Sequence, residues 1–421
     1  MSRSSAIGFI AFEAESSFAE SGDDTYTTRI IPRDGTLDLS NLARPMVERP
    51  GVFQYLNDAS LYVPGAFNTG TFSFTMDLHG HGSTTNGSLT SHALLELLGH
   101  ALGNVDSSQV GGALTGDSAD AVSLTSTNTT LVAGGLLRVG ALGDGRGEGQ
   151  ATVAADATSP YALSVALPGD PDTSDVVYPM LMAYPVSQVT DSDITSDDST
   201  TNNTLRFILA SGDLQYLCRG CVCTGLTISG LSPGEMPQIQ FTFSAAYWEP
   251  VAQTFPSVTS ATDYAPAPVA SGSVFINAAG TTTRATIETR EFSVSIGIGM
   301  QPIMGPGGVN QGQNVVGWSR VPAETSVSMS VPSEAATATP TWWTLFGTDP
   351  NSATARHLLW LSAPIDGRAV ALRFPRLLPM GNVPTQSDVD GLDYIPLSFK
   401  AATDPAGASE LLRAAFVLGM G

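Results

Sequence analysis

The sequence predicts a mainly-β protein made of two similar units in one chain, and three observations carry that expectation. Short segments alternate apolar and polar residues, as in Thr71-Phe72-Ser73-Phe74-Thr75-Met76-Asp77-Leu78, Gln238-Ile239-Gln240-Phe241-Thr242-Phe243 and Glu291-Phe292-Ser293-Val294-Ser295-Ile296. A period of two marks a strand with one buried face. Glycine and proline, 43 and 27 of the 421 residues, punctuate this alternation throughout. The third observation is an internal repeat. Phe72–Leu78 resembles Phe292–Ile298, 220 residues on, and Phe241–Ala246 resembles Leu397–Ala402, 156 residues on. Before each closing segment lie an arginine-bearing strand (Leu217-Cys218-Arg219, Leu372-Arg373-Phe374) and a Gly/Pro-rich loop.

The elements follow in order. In Thr90–Gly103, Leu94, Leu97, Leu98, Ala101 and Leu102 line one helical face. Thr90 or Ser91 caps the start and Gly103 the end, so this segment reads as a short helix packed on a sheet. Between it and Pro179, Leu131–Val139, Gln150–Ala155 and Tyr161–Leu167 read as strands joined by glycine loops, a β insertion that accounts for the longer first half. Ala183–Asn203 reads as a polar acidic loop, and Trp248–Gly272 as a semi-extended Pro/Ala-rich connection. After Pro340, Thr341–Gly347 is either the second unit's helix or an aromatic loop. The expected organisation is a first unit over 1–247 with the insertion around 104–178, a linker over 248–272, and a second unit over 273–421.

Composition narrows the function classes. Asp and Glu number 39 against 18 Lys and Arg, a net charge of −21, and charged residues make up only 14% of the chain. Lys400 is the only lysine, so a basic nucleic-acid-binding surface is disfavoured. Apolar content of 42% supplies a core and argues against disorder. The apolar run Ile7–Phe12 stops at Glu13, too short for a signal-peptide core, and no window spans a bilayer. The expectation is a soluble chain made in a cytoplasm.

No constellation of catalytic residues stands out. Cys218, Cys221 and Cys223 form C-x-x-C-x-C on a strand. Without a second cysteine pair they read as buried thiols rather than a zinc site. His79-Gly80-His81 with Asp77 has ligand-like alternation, but no second histidine pair matches it. His92 and His100 sit near opposite ends of the helix and read as structural. Gly230-Leu231-Ser232-Pro233-Gly234 matches G-x-S-x-G formally. Proline after the serine has no N–H for an oxyanion, so the segment reads as a turn. Gly143–Gly149 lacks the lysine and hydroxyl of a phosphate loop and reads as a hairpin tip. Asp191, Asp193, Asp197 and Asp198 read as a solvated loop, with a bound calcium ion as the alternative. The expectation is a non-enzyme with no catalytic, cofactor-binding or metal-binding residues and no cofactor.

Three stretches resemble the tail tube proteins of long-tailed, siphovirus-like bacteriophages. They are Ile7–Glu13 through Met46–Val52 to Pro64-Gly65, the strand–helix order from Phe72 to Leu102, and Arg219 to Gly234-Glu235 followed by Phe241–Ala245. The resemblance implies two β-sandwich domains, each with a flanking short helix, that contribute strands to a closed inner β-barrel of an assembled tube. With two such domains per chain, three chains would give a trimeric, pseudo-hexameric ring. The implied partners are further copies of the chain, a tape measure protein in the lumen, tail terminator and distal tail proteins, and double-stranded DNA in transit; no membrane is involved. A strongly negative chain suits an acidic-lined conduit that DNA must pass without sticking. Location in the virion tail follows, after synthesis in a host cytoplasm. The alternatives are a distal tail or other tail-end component and a virion-surface receptor-binding β protein, for which Trp342-Trp343 is a candidate patch.

Overall fold

A computed structural model describes residues 9–15, 18–19, 26, 28–30, 32–38, 46–48, 62–64, 69–80, 93–116, 122–126, 129–141, 150–153, 159–167, 170–185, 193–195, 204–211, 214–251, 273–278, 286–305, 315–321, 323–332, 356–362, 368–380, 387–389, 392–403 and 410–421. The fold is mainly β, and most of it is one antiparallel network of 18 strands.

The first half contains β1 (Phe9–Ala14), β2 (Thr28–Ile30), β3 (Asp34–Asp38), β4 (Met46–Glu48), β5 (Tyr62–Pro64) and β6 (Gly70–Asp77). Helix α1 (Ala93–Leu102) and β7 (Gly103–Asp106) follow. Gly103 has a φ of +96°, the left-handed conformation that ends a helix cheaply at glycine, as the sequence predicts. Seven of the ten α1 residues are buried, including all five leucines, and the helix lies against β7, β14 and β17 (the last two bounded below). Glu96 on its outer side accepts a hydrogen bond from Thr28 Oγ1, tying α1 to β2.

The expected insertion region holds β8 (Gly112–Ala113), β9 (Ser123–Leu124), β10 (Leu136–Ala141), β11 (Gln150–Val153), β12 (Tyr161–Ala162) and β13 (Asp175–Pro179). They form a four-stranded sheet in the order β11-β10-β13-β8 and a β12–β9 pair. Leu114, Leu124, Leu137, Tyr161 and Val177 belong to a core cluster of their own. The chain then returns through β14 (Leu181–Pro185), β15 (Asp193–Thr195), β16 (Leu205–Ser211), β17 (Leu214–Ser229) and β18 (Gln238–Val251). Two expectations are corrected here. The segment read as an acidic loop contains most of β14 and all of β15, which pairs with a strand of the second half at Ile194↔Trp318. β18 continues to Val251, past the expected linker start at Trp248, because Trp248–Val251 stays in ladder with Gln215–Cys218; residues 252–272 lie outside the described ones.

The second half comprises β19 (Ser273–Ala278), β20 (Thr286–Ile287), β21 (Glu291–Gly297), β22 (Gly299–Met304), β23 (Val315–Val321), β24 (Thr325–Pro332), β25 (Arg356–Leu361), β26 (Val370–Pro379), β27 (Ser387–Val389) and β28 (Leu392–Ala401). A single-turn helix α2 (Glu410–Arg413) and β29 (Val417–Met420) follow. The candidate helix at Thr341–Gly347 lies outside the described residues.

Strand register relates the halves more sharply than the sequence match. β1 pairs with β16 at Phe12↔Phe207, and β19 with β25 at Ile276↔Leu358. Both β16–β17 and β25–β26 carry a bulge at the same place, between Leu205↔Cys221 and Phe207↔Cys218 and between Arg356↔Leu377 and Leu358↔Phe374. β17 meets β18 at Cys223↔Phe243, and β26 meets β28 at Pro379↔Phe399. These closing partners are 156 residues apart, the spacing seen in the sequence. The opening match is corrected. β6 pairs with the closing strand at Phe72↔Phe243, whereas the strand that pairs with the second closing strand is β24, at Val327↔Phe399. β21 corresponds instead to β3, since Leu37↔Phe72 parallels Val294↔Val327. Arg33 and Arg290 even donate the same off-register backbone bond, to the carbonyls of Thr75 and Ser330, both at 2.9 Å.

Each half is therefore a two-layer sandwich closed by aromatic rings. In the first, Phe207 meets Phe72 and Phe243 across the layers at 5.0 and 4.8 Å between centroids. In the second, Phe292 stacks on Trp360 at 6.3 Å. The two halves are not separate bodies: β17 pairs with β21, β29 bridges β14 and β26, and one core cluster contains side chains from both.

Candidate functional site

The β17–β21 ladder turns two four-stranded layers into one sheet, ordered β3-β6-β18-β17-β21-β24-β28 and then β26. Because side chains alternate across each strand, register fixes what each face carries. One row reads Met76, Ile239, Ile228, Val294, Val327 and Phe399, and except for half-buried Met76 it is buried. The adjacent row reads Asp34, Thr75, Gln240, Thr227, Ser295, Ser326 and Lys400, all exposed or half-buried. Ser73, Thr242, Ser293, Ser328 and Ser398 widen the same face.

This face crosses both halves without a break and is made of hydroxyl and amide groups. Charge sits toward its borders: Asp77 pairs with Arg33 at 2.8 Å, and Lys400 pairs with Glu324 from the turn before β24. Asp34 and Glu291 add exposed carboxylates at the strand ends, and short polar side chains fill the face between them. The sequence alternation contained this face, but nothing in it said that the two halves lie side by side.

The joint itself is clasped by the segment with the formal nucleophile-elbow pattern. Gly230 and Gly234 adopt φ of +68° and +86°, making a tight turn after β17. Ser232 Oγ accepts the Phe292 N–H of β21 at 3.3 Å, and the Leu231 carbonyl accepts Trp360 Nε1 of β25 at 3.3 Å. Ser232 is thus a link between halves.

A second contact between halves surrounds Gly220, on β17 with φ of +60°. Its N–H donates to the Glu15 carboxyl at 3.0 Å, and its carbonyl accepts Trp318 Nε1 of β23 at 2.9 Å. Glu15 also accepts from the Ala19 N–H at 3.1 Å and from the Thr204 hydroxyl. Burial pushes its pKa up to about 7, against the hydrogen bonds and the Arg206 charge, which pull it down. A Cβ on Gly220 would lie 2.8 Å from Ala246 Cβ, so the close approach itself requires glycine.

The remaining sequence candidates do not converge. Cys218, Cys221 and Cys223 are free and buried. Burial raises the pKa of Cys221 and takes that of Cys223 to about 12, which suits inert thiols. Asp77 is engaged by Arg33, and His79 Nδ1 lies 3.3 Å from the Gly80 carbonyl. His100 occupies the last turn of α1. Asp193 begins β15. His81, His92, Asp191, Asp197, Asp198, Gly143–Gly149 and Trp342-Trp343 lie outside the described residues. Among the described residues no three or more His, Cys, Asp or Glu side chains gather where a metal could bind. Among the described residues, a cleft between α1, β21, β22 and β28 has Arg320 as its single ionisable lining residue and shows no acid–base pair.

The chain matches no protein-family model and no curated protein. Among the described residues no helix is long and apolar enough to cross a membrane.

Proposed function

We propose that this chain is a structural subunit of a siphovirus-like phage tail tube, stacking as trimeric, pseudo-hexameric rings into a conduit for DNA ejection. The observation that carries the reading is the edge-to-edge joining of two equivalent four-stranded layers in one chain, with a single continuous polar face. Such a joint connects unlike edges. A contact of that kind propagates from unit to unit and closes into a ring when the rotation per unit allows. Closure also removes exposed strand edges.

The polar face of Thr, Ser and Gln is the wall assigned to the lumen. Neutral side chains offer phosphate no cation to pair with, and the chain's net charge of −21 adds long-range repulsion. The partners on this reading are copies of the chain, a tape measure protein before ejection, and terminator and distal tail proteins at the tube ends. The reading assigns the chain no catalytic step, no cofactor and a place in the virion.

Electron microscopy of the purified protein at rising concentration tests the proposal. Tubes or stacked rings with three chains per ring are expected. Six chains per ring would keep the tube and overturn the pseudo-hexamer. Monomers at every concentration would overturn the tube and favour a tail-end or virion-surface role.

A further inference from the structure

The arm formed by β22 and β23, with β15 along its edge, is a sheet apart from the 18-stranded network. It leaves that network at a sharp bend. A Cβ on Gly297 would lie 2.4 Å from the Glu324 carbonyl oxygen, and one on Gly299 2.2 Å from that of Val321, so both close approaches require glycine. The arm then crosses onto β17 and β18 of the first half, where Val315 and Trp318 enter a small cluster with Phe18, Ala19, Val222 and Ala246.

Trp318 is the anchor. It is 1% exposed, and its Nε1–H donates to the Gly220 carbonyl at 2.9 Å. The other side of Gly220 is held by Glu15, whose carboxyl accepts the Gly220 N–H at 3.0 Å and the Ala19 N–H at 3.1 Å. Ala19 takes a φ of +49°, a left-handed conformation uncommon outside glycine, and Phe18 and Ala19 both lie against Gly220. One carboxyl therefore fixes both the turn and the bulge that receive the indole.

We infer that the β22–β23 arm is a strap whose seat is set by the protonated Glu15 carboxyl, and that loss of this proton loosens it. In the seated arrangement Glu15 is 1% exposed, so its ionised form is poorly hydrated. Lifting Trp318 and Phe18 away from Gly220 admits water to the carboxyl behind it. The charged group facing Glu15 is Arg206 of β16, which Glu13 shares at 2.8 Å and which lies over the Tyr26 ring at 5.7 Å. On β17 its titratable neighbours are the buried thiol of Cys221 and, bonded to that, Cys218, while Arg219 lies over the Tyr247 ring of β18 at 5.7 Å. The arm brings the uncharged indole, and Arg320, two residues on, lines the cleft beside α1.

One cation shared between two carboxyl groups does not offset burial, and the pKa of Glu15 rises from 4.5 to about 7. Seating is therefore fully supported below pH 4.5 and loses that support as pH rises through 7. The shift bounds the change in the opening equilibrium at about 300-fold.

The test is exchange of the indole N–H protons in the dispersed full chain, followed by NMR at pH 5 and pH 8 in the wild type and in Glu15→Gln. Comparing the two proteins at one pH cancels the intrinsic pH dependence of indole exchange. Trp318→Phe assigns the resonance, and Trp360, whose Nε1–H donates to the Leu231 carbonyl within the shared core, is the reference. Expected are a ratio of wild-type to Glu15→Gln rates at Trp318 that rises about tenfold or more from pH 5 to pH 8, and exchange at Trp318 faster than at Trp360. An unchanged ratio would overturn the inference. So would a Trp318 rate no faster than that of Trp360, which would tie the arm to unfolding of the whole chain. If Glu15→Gln fails to fold, the wild type alone decides: measured against an exposed tryptophan in a short peptide, Trp318 exchange either climbs between pH 5 and pH 7 as expected or stays flat and overturns the inference. The strap is read on dispersed chains, so it stands or falls apart from the tube.

Discussion

Glu15 is a carboxyl group held among backbone donors at a depth where its charge is poorly solvated. Folding raises its pKa from 4.5 to about 7. Between those values the folded chain holds a proton that the unfolded chain releases, so this group's contribution favours folding fully below the unfolded value and is lost as pH rises through 7. The difference is about 3 kcal/mol. Urea unfolding at pH 5, 6.5 and 8 should therefore show stability falling with pH. Glu15→Gln, which mimics the protonated form, should flatten that fall; an unchanged slope would place the dependence on another group. Gly220→Ala meets both a left-handed φ and Ala246, and should cost about 2–4 kcal/mol, measured as a lowered denaturant midpoint. Neither residue was legible as important beforehand, because Glu15 and Gly220 are brought together only by the pairing of β1 with β16 and of β16 with β17.

At the scale of elements, α1 and most strands could be read directly. Helical spacing of leucines and alternating residues are each imposed by burial on one face, and the structure buries those faces. Leu97→Ala should cost about 2–5 kcal/mol, since Leu97 is fully buried beneath the helix. What could not be read was which strand is equivalent to which. Phe72-Ser73-Phe74 and Phe292-Ser293-Val294 look alike because both are half-buried strands, a pattern that sterics impose on many strands; yet one pairs with its closing strand and the other does not. The closing match succeeded because its spacing is shared by two successive strands and the bulge preceding them. Ser232 looked like a poor nucleophile and proved to be a tie across the joint. Ser232→Ala and Trp360→Phe should each remove about 1 kcal/mol without altering the fold, seen as additive losses in thermal unfolding unless the two bonds support one another.

For the whole molecule, a sheet and core cluster common to both halves predict one cooperative unfolding transition for them. The cluster around Leu124, Leu137 and Tyr161 is separate and should open independently, so proteolysis of the native chain should cut there first. Calorimetry resolving two equal transitions, one per half, would contradict the shared core. The solitary lysine adds a chemical handle. Lys400 lies at the end of the polar row, half-exposed and paired with Glu324, and the other side-chain cations are arginines, which do not react with amine reagents under mild conditions. Apart from the terminal amine, an amine-reactive dye therefore attaches at one address, on one face of the sheet. A bulky soluble quencher would reach it on dispersed chains and be excluded wherever that face turns toward an enclosed space, so the protein comes with its own reporter for inside and outside.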